Sequence, residues 1–239
     1  MPPGALVLKS RLVMLRFFPL RLLALAAAAA TLAGCAGDRE HQLVISVPEQ
    51  RLLLLKNGQP LATYPVSTSK FGLGDRPGGN GTPLGEMHIA EKIGGGLPAG
   101  AVLKHREPTG EILAPDAPGR DPIVSRILWL KGDELGNRHA FDRYIYIHGT
   151  PEERNVGQPV SYGCVRMKSR DVIALFDEIG TGARVYIRDT SLTAAAAPYL
   201  VAPPPAASTP APTLVAATAP TTASGASSAA PPAPPSSRQ

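Results

Sequence analysis

The chain has 239 residues and a net charge of +5, with 18% charged and 5% aromatic residues. Four basic residues and no acid lie within residues 1–34, and without them the net charge falls from +5 to +1. The rest of the chain therefore lacks the charge of a nucleic-acid-binding protein, and its few aromatic residues argue against a base-stacking surface. Because residues 191–239 carry a single charge, only about 150 residues remain to form one core.

The chain begins with a basic segment that leads into an apolar run at residues 22–34. As a helix this run would be about 20 Å long, which is shorter than the ~30 Å hydrocarbon core of a bilayer. A basic region, a short apolar run and small residues at its end are typical of a secretory signal. Met14 is an alternative start, since Arg16 and Arg21 still precede the run.

The apolar run ends in the sequence LAGC at residues 32–35, which resembles the lipobox of bacterial lipoproteins, where the cysteine is lipidated and the chain is cut just before it. Ordinary cleavage at a nearby small-x-small site is the alternative. The sequence thus predicts a signal peptide at 1–34, a lipidated linker at 35–41 and membrane attachment through lipid on Cys35. Residue 36 is not the Asp that retains enteric lipoproteins at the inner membrane, which favours the periplasmic side of the outer membrane.

The middle of the chain alternates short apolar runs with turn signals, as β-rich domains do. Asn57-Gly58 separates two of these runs and is a strong hairpin signal. Ser169 is predicted to cap a helix with apolar residues at helical spacing, which Gly180 ends. The predicted fold class is mainly β, a sandwich or barrel with one clear α-helix. The predicted strands are 43–47, 51–56, 61–67, 86–93, 124–130, 144–148 and 183–188.

Two segments have no periodic pattern. Residues 70–82 are rich in glycine but match neither the P-loop nor the G-x-G-x-x-G motif, so phosphate binding is excluded and a mobile connection is expected. Residues 190–239 are rich in Ala, Pro, Ser and Thr. Such a composition does not bury enough apolar surface to offset its ordering entropy, so a disordered tail is expected there.

The chain has two cysteines, Cys35 and Cys164. If Cys35 carries lipid, Cys164 has no partner for an intrachain disulfide. A buried thiol that acts as a small apolar group is one interpretation, and a nucleophile is the other. His148 ends an apolar run sixteen residues earlier, and a loop of that length can bring its imidazole to the thiol, where it would take the proton. Gly163 would let the backbone turn beside the nucleophile and aim amides at an oxyanion.

Residues 148–167 resemble the signature of the L,D-transpeptidase catalytic domain, also called the YkuD domain. That signature has His-Gly or His-Ser, a loop, and Ser/Thr-His-Gly-Cys with Arg or Asn two residues on. A Thr-Pro-x-Gly motif at 82–85 and the stretch 143–150 are similar to the family as well, so that the likeness covers roughly residues 42–189. The residues that match the signature are His148, Gly149, Ser161, Gly163, Cys164 and Arg166.

The resemblance implies a mainly β, sandwich- or barrel-like L,D-transpeptidase domain at 42–189, with its helix after the nucleophile. It implies acyl transfer on peptidoglycan stem peptides without a cofactor. Cys164 would be the nucleophile, His148 its base, and the Gly149 carbonyl the group that orients His148. The residues that would bind substrate or the oxyanion are Ser161, Tyr162, Gly163 and Arg166.

Tyr162 stands where the family usually has a histidine before Gly-Cys. Tyrosine keeps an aromatic body and a hydrogen-bonding tip, but it does not carry a proton near neutral pH. We therefore expect catalysis to be retained with an altered preference for donor or acceptor. An inactive or hydrolytic lipoprotein that binds peptidoglycan is the alternative.

The other titratable residues give weaker signals. Arg166 has a structural ion pair as its alternative role. Glu152 and Glu153 are interpreted as solvated acids, or as partners for the amine of a diaminopimelate side chain. The remaining histidines show no metal-ligand spacing, so no metal site is predicted and they are interpreted as surface or loop residues. These histidines are His41, His88, His105 and His139.

Overall fold

The structure of the protein is a computed structural model, which describes residues 37–201. The predicted signal peptide, the lipidation site Cys35 and most of the predicted tail lie outside the described residues. Within them no helix is long and apolar enough to cross a bilayer. The described part of the chain forms ten strands, two α-helices and two short 3-10 helices. The strands are β1 (His41–Ser46), β2 (Arg51–Lys56), β3 (Gln59–Pro65), β4 (Gly85–Ile93), β5 (Ala101–Lys104), β6 (Glu107–Ile112), β7 (Ile123–Gly132), β8 (Tyr146–Thr150), β9 (Val165–Lys168) and β10 (Arg184–Arg188), and the helices are α1 (Ser169–Glu178), α2 (Leu192–Ala196) and the 3-10 turns Glu153–Asn155 and Ala197–Tyr199.

The strands form one curled sheet in the order β3-β2-β1-β10-β4-β7-β5-β6, and β8 and β9 continue from β7 on a second branch. The pairs β1–β10 and β8–β9 are parallel, and the remaining pairs are antiparallel. The prediction of a mainly β domain with a clear helix after Cys164 is confirmed. The main core lies between the sheet and α1, and its fully buried residues include Leu43, Ile45, Met87, Leu128, Ile147, Met167, Val172 and Leu175.

The sequence signals for the ends of α1 are wrong in detail. The backbone N–H of Ser169 donates to the Glu153 carboxylate at 2.8 Å, and the Ser169 hydroxyl bonds to Ser125 rather than to its own helix. The helix ends at Glu178, and Gly180 has no left-handed φ that would end a helix. The close approach of Asp38 favours glycine at position 180, because a Cβ there would lie 3.0 Å from the Asp38 side chain.

The predicted boundary of the disordered tail is wrong for residues 190–201. Ala195 and Ala196 of α2 pack into a small core with Val44 and Tyr186, and the rings of Tyr199 and Tyr186 stack 3.9 Å apart. The low charge of this segment suggested disorder, but its alanines and single tyrosine fit closely against β1 and β10. The domain therefore extends through the end of the described residues.

The domain also begins earlier than predicted. The carboxylate of Asp38 accepts hydrogen bonds from the Gly180 N–H and from the Nδ1 atom of His41. His41 is buried, rather than a surface or loop residue, and its Nε2 atom lies 3.2 Å from Glu178. These contacts fasten the predicted linker to the end of α1.

The two ends of the described chain meet at the turn between β2 and β3. Asn57 donates its backbone N–H to the Glu40 carbonyl at 2.7 Å, and Val201 donates to the Gly58 carbonyl at 2.9 Å. Asn57 and Gly58 both have positive φ, +51° and +74°, as in the type I′ turns that favour Asn-Gly. The hairpin predicted from this dipeptide is confirmed.

Candidate active site

The parallel pair β8–β9 brings the candidate catalytic residues to one face of the sheet. His148 lies opposite Arg166, and Ile147 lies opposite Val165. Ile147 and Val165 belong to the main core, and alternate residues of a strand point to opposite faces. His148, Arg166 and Cys164, which precedes β9 by one residue, therefore share the face that points away from this core.

The thiol of Cys164 is held by the backbone of the segment that leads into β8. Its Sγ atom lies 3.3 Å from the Tyr144 carbonyl, to which it donates, and accepts the Tyr146 N–H at 3.4 Å. Burial raises the pKa of this thiol, while the positive charges of Arg166 and Arg143 act in the opposite direction. Because burial outweighs them, Cys164 is a neutral thiol at neutral pH, and it is partly accessible from outside.

His148 is buried, and its ring is fixed by its own backbone neighbour. The Nδ1 atom lies 2.8 Å from the Gly149 carbonyl oxygen, and a carbonyl can only accept, so Nδ1 carries the hydrogen and Nε2 keeps its lone pair. Burial lowers the pKa of His148 to about 4, against the hydrogen bond to Gly149 and with the help of Arg166. The imidazole is therefore neutral at neutral pH and able to accept a proton at Nε2.

Gly149 fits where a larger residue would not. A Cβ at this position would lie 2.5 Å from the Val124 carbonyl oxygen on the neighbouring strand β7, which is far inside contact distance. The absence of a side chain lets β8 lie close to β7 and keeps the Gly149 carbonyl beside the His148 ring.

The loop before Cys164 is stabilised by hydrogen bonds from buried hydroxyl groups. The buried Ser161 hydroxyl donates to the Cys164 carbonyl at 2.6 Å and accepts the Gly163 N–H at 3.3 Å. Thr82 is also fully buried, and its hydroxyl donates to the Gly163 carbonyl at 3.0 Å. Gly163 has a φ of +120°, a region that favours glycine. Ser161 thus shapes the turn at Gly163, and so does Thr82, the first residue of the Thr-Pro-x-Gly motif.

Arg143 fastens the glycine-rich segment 70–82 next to this loop. Its guanidinium donates to the carbonyls of Gly74, Gly79 and Gly81 at 2.8–3.0 Å and forms an ion pair with Asp75. The segment is therefore tied to the domain, which corrects the expectation of a mobile connection. In the sequence, only its place at the start of the stretch 143–150 points to Arg143.

The comparison with known protein families agrees with this geometry. The family model of the L,D-transpeptidase catalytic domain, YkuD, matches residues 40–187. The chain belongs to the L,D-transpeptidase family. Within residues 37–201 no group of three or more His, Cys, Asp or Glu residues is arranged to hold a metal ion.

The chain is similar to several named proteins of this family. The putative L,D-transpeptidase YkuD of Bacillus subtilis is 27% identical over 147 residues, which are 62% of this chain and 65% of that protein. The probable L,D-transpeptidase YbiS of Escherichia coli is 29% identical over 175 residues, which are 67% of this chain and 49% of that protein. A solved L,D-transpeptidase from Mycobacterium smegmatis aligns with a TM-score of 0.40 and 17% identity over 62% of this chain and 58% of that one. The chain thus spans only part of the length of each of these three.

Arg166 is an ion-pair partner on the same sheet face as His148. Its guanidinium lies 2.6 Å from the Asp121 carboxylate and 3.8 Å from that of Glu152, and only 12% of its side chain is exposed. The structural role that the sequence left open is therefore present. Its charge also lowers the pKa of both His148 and Cys164, so it favours a neutral base beside a thiolate.

Tyr162 is exposed on the loop before Cys164. Its side chain is 56% exposed, and its hydroxyl accepts a hydrogen bond from the Lys70 ammonium at 3.0 Å. The ammonium also lies 4.4 Å from the centre of the Tyr162 ring, and the Phe71 ring lies 5.2 Å away. The residue that departs from the L,D-transpeptidase signature thus forms an exposed cluster with Lys70 and Phe71.

Proposed function

We propose that the domain catalyses cysteine-dependent acyl transfer on peptidoglycan stem peptides. The observation that carries the proposal is the neutral His148, whose Nε2 lone pair lies on the same sheet face as the Cys164 thiol. A neutral base next to a neutral thiol takes up the proton only as the sulfur attacks, so that no buried charge has to exist beforehand.

In the first step His148 Nε2 takes the Cys164 proton while the sulfur attacks the carbonyl between an L-centre and a terminal D-residue. The amides of Gly163 and Cys164 would stabilise the oxyanion, since Gly163 is held by Ser161 only through a long hydrogen bond of 3.3 Å. The carbon–nitrogen bond then breaks, and the imidazolium returns its proton to the leaving amine. The products are a thioester on Cys164 and the released D-residue.

In the second step an amine or water attacks the thioester. His148 accepts the proton of the attacking group and passes it to the leaving sulfur, which restores the thiol. An amine on another stem peptide gives a cross-link, and water gives hydrolysis. The half-buried acid Glu152 lies 3.8 Å from Arg166 and accepts a hydrogen bond from Asn155, and its second carboxylate oxygen would be available to the acceptor amine, whereas Glu153 is occupied by the first turn of α1.

Mass spectrometry of muropeptides tests this proposal. The full chain, purified in detergent, is incubated with disaccharide tetrapeptides and a radiolabelled D-amino acid. We expect loss of the terminal D-residue and formation of an exchanged or cross-linked product. The Cys164→Ala protein should form neither product, and equal products from both proteins would contradict the assignment of Cys164.

A non-catalytic protein that grips peptidoglycan is the second candidate. It is favoured by the resting thiol, which donates to the Tyr144 carbonyl rather than to His148. Such a protein would bind muropeptides without changing their mass, so the same experiment separates the two functions.

We also propose that lipid on Cys35 holds the domain at the periplasmic face of the envelope, at the outer membrane. The sequence LAGC at residues 32–35 supports this. Labelling of cells with a palmitate analogue should mark the wild-type protein and not Cys35→Ala. Equal label on both proteins would show that the lipid attachment is elsewhere or absent.

A further inference from the structure

The tip of the β5–β6 hairpin has an unusual composition for its backbone geometry. His105 and Arg106 have φ values of +53° and +72°, nearly the same as +51° and +74° at Asn57 and Gly58 in the β2–β3 turn. Asn-Gly is the favoured pair in this geometry, whereas larger side chains are strained there. The protein thus uses the favourable pair in one hairpin and two bulky, strained residues in the other. Strain of this kind often accompanies a functional side chain.

The strained turn places the Arg106 guanidinium over aromatic rings. It lies 4.9 Å from the centre of the Trp129 ring and 5.3 Å from that of Tyr144, and one nitrogen lies 3.5 Å from the Tyr146 hydroxyl. Stacking of this kind positions a guanidinium without neutralising it. Within residues 37–201 no carboxylate lies within ion-pair distance of Arg106, in contrast to Arg143 and Arg166.

The same aromatic group holds the nucleophile. The Tyr144 carbonyl accepts the thiol hydrogen, the Tyr146 N–H donates to the sulfur, and Cys164 packs against the cluster that contains Trp129 and Tyr146. One group of rings therefore contacts both Arg106 and Cys164. The guanidinium that these rings position has no ion-pair partner among residues 37–201 and is available to an anionic group of a substrate.

We propose that Arg106 binds a carboxylate of the stem peptide and determines specificity for it, an inference that rests on the proposed acyl transfer. Guanidinium and carboxylate form two parallel hydrogen bonds, and stacking of Arg106 fixes the plane that this requires. The carboxylate has two possible sources. One is the terminal carboxylate of the leaving D-residue, three bonds from the attacked carbonyl, and the other is the carboxylate beside an acceptor amine.

Pairs of substrates that differ only in charge test this inference and distinguish the sources. The full chain is assayed with a tetrapeptide donor and its C-terminal amide, and separately with a D-amino acid acceptor and its amide. In Arg106→Gln the ratio of kcat/KM for acid to that for amide should fall about 10- to 100-fold in one arm, the usual value of a hydrogen bond to a charged group. Arg106→Lys keeps the positive charge but not the planar guanidinium, so its acid-to-amide ratio should lie between those of the wild type and Arg106→Gln. An unchanged ratio in both arms would overturn the proposal.

Replacing the two residues of the β5–β6 turn distinguishes a role of Arg106 in substrate recognition from a role in the stability of the hairpin. The double variant His105→Asn/Arg106→Gly installs the pair found at Asn57 and Gly58, so its melting temperature should rise by about 2–4 °C. The acid-to-amide ratio should fall as in Arg106→Gln. A more stable protein with an unchanged ratio would show that Arg106 has no role in recognition.

Binding separates this inference from the proposed function. Cys164→Ala protein with and without Arg106→Gln is titrated with the tetrapeptide and with its amide, and the same is done with the acceptor pair. A preference for an acid that depends on Arg106 supports the carboxylate site whether or not the wild type turns substrate over. If neither the donor pair nor the acceptor pair shows a preference for the acid that depends on Arg106, the carboxylate site is overturned, even if the wild type is active.

Discussion

The guanidinium of Arg143 lies 2.9 Å from the carboxylate of Asp75, and less than a tenth of either side chain is exposed. Removing one member of such a pair leaves the other charge buried alone, which typically costs about 3–5 kcal/mol. Arg143→Gln should therefore lower the free energy of unfolding by about 3 kcal/mol, measured by urea denaturation. It should also raise the pKa of Cys164, because the charge of Arg143 lowers it, and so shift the pH profile of thiol alkylation upward. Arg138→Gln, at an exposed arginine nearby, is the control. A loss below 1 kcal/mol would contradict the assignment.

Gly149 offers a test of how the base is oriented. Gly149→Ala should be strongly destabilising and should lower turnover, because its Cβ would meet the Val124 carbonyl and displace the group that accepts from His148. Overpacking of this kind costs about 1–3 kcal/mol. Gly136→Ala is the matched control, since a Cβ there meets nothing within 4 Å. Equal melting temperatures and equal turnover of the two variants would contradict this account.

The nucleophile and its base are tested by a carbapenem, whose ring carbonyl would trap the Cys164 sulfur. Intact-protein mass should rise by one drug equivalent in the wild type and not in Cys164→Ala. His148→Ala should slow the reaction by about 10²–10⁴-fold, the usual loss when a general base is removed. If Cys164 in the folded protein reacts neither with carbapenems nor with small alkylating agents, the enzymatic function is wrong.

The buried His148 makes stability depend on pH. Its pKa is about 4 in the folded protein and 6.5 when exposed. As the pH falls from 6.5 to about 4, the unfolded chain takes up a proton that the folded chain does not, so folding loses up to about 3 kcal/mol. Below pH 4 both states are protonated and this loss grows no further.

Urea denaturation between pH 4 and pH 7 measures that dependence. His148→Gln should remove this contribution to the slope, whereas His88→Gln, at a half-buried histidine paired with Asp133, should leave it in place. Identical slopes for the wild type and His148→Gln would place the pH dependence elsewhere.

Tyr162→His restores the usual family residue. Tyr162 contacts Lys70 and Phe71 on the surface, and exposed contacts of this kind contribute about 0.5–1 kcal/mol. Turnover of a fixed donor peptide should therefore stay within about fivefold of the wild type or rise. Tyr162→Phe, which keeps the ring and removes the hydroxyl, is the matched control. Complete loss of turnover in a folded Tyr162→His protein would show that the site is built around the phenol.

Local patterns predicted most of the strands because their apolar runs are continuous. The prediction for β2 agrees with the structure at both ends, residues 51 and 56. β6 could not be found in this way, since all six of its residues are exposed and it has no apolar face. The ends of α1 were misjudged because they depend on distant residues, Glu153 at one end and Asp38 at the other.

In the candidate site, too, local sequence patterns predicted some residues, whereas contacts between distant segments could not be predicted. His148, Cys164 and Gly149 could be named from adjacent letters of a signature. Thr82 could be named only as a member of the Thr-Pro-x-Gly motif. The bond that its hydroxyl makes and the contacts of Arg106 could not be predicted, because they form only when segments far apart in sequence come together. The pKa of His148 was equally beyond the sequence, since it depends on burial and on Arg166.

Both ends of the described chain are bonded to the single turn Asn57–Gly58, through Glu40 and Val201. The start of the described chain is also bonded to the end of α1, through Asp38 and Gly180. A mechanical load on either end would therefore enter the domain at this turn or at the end of α1. The turn joins β2 and β3, whereas His148 and Cys164 belong to β8 and the residue before β9. Tension on a tether would thus reach the turn and the end of α1 without pulling directly on β8 or on the residue before β9.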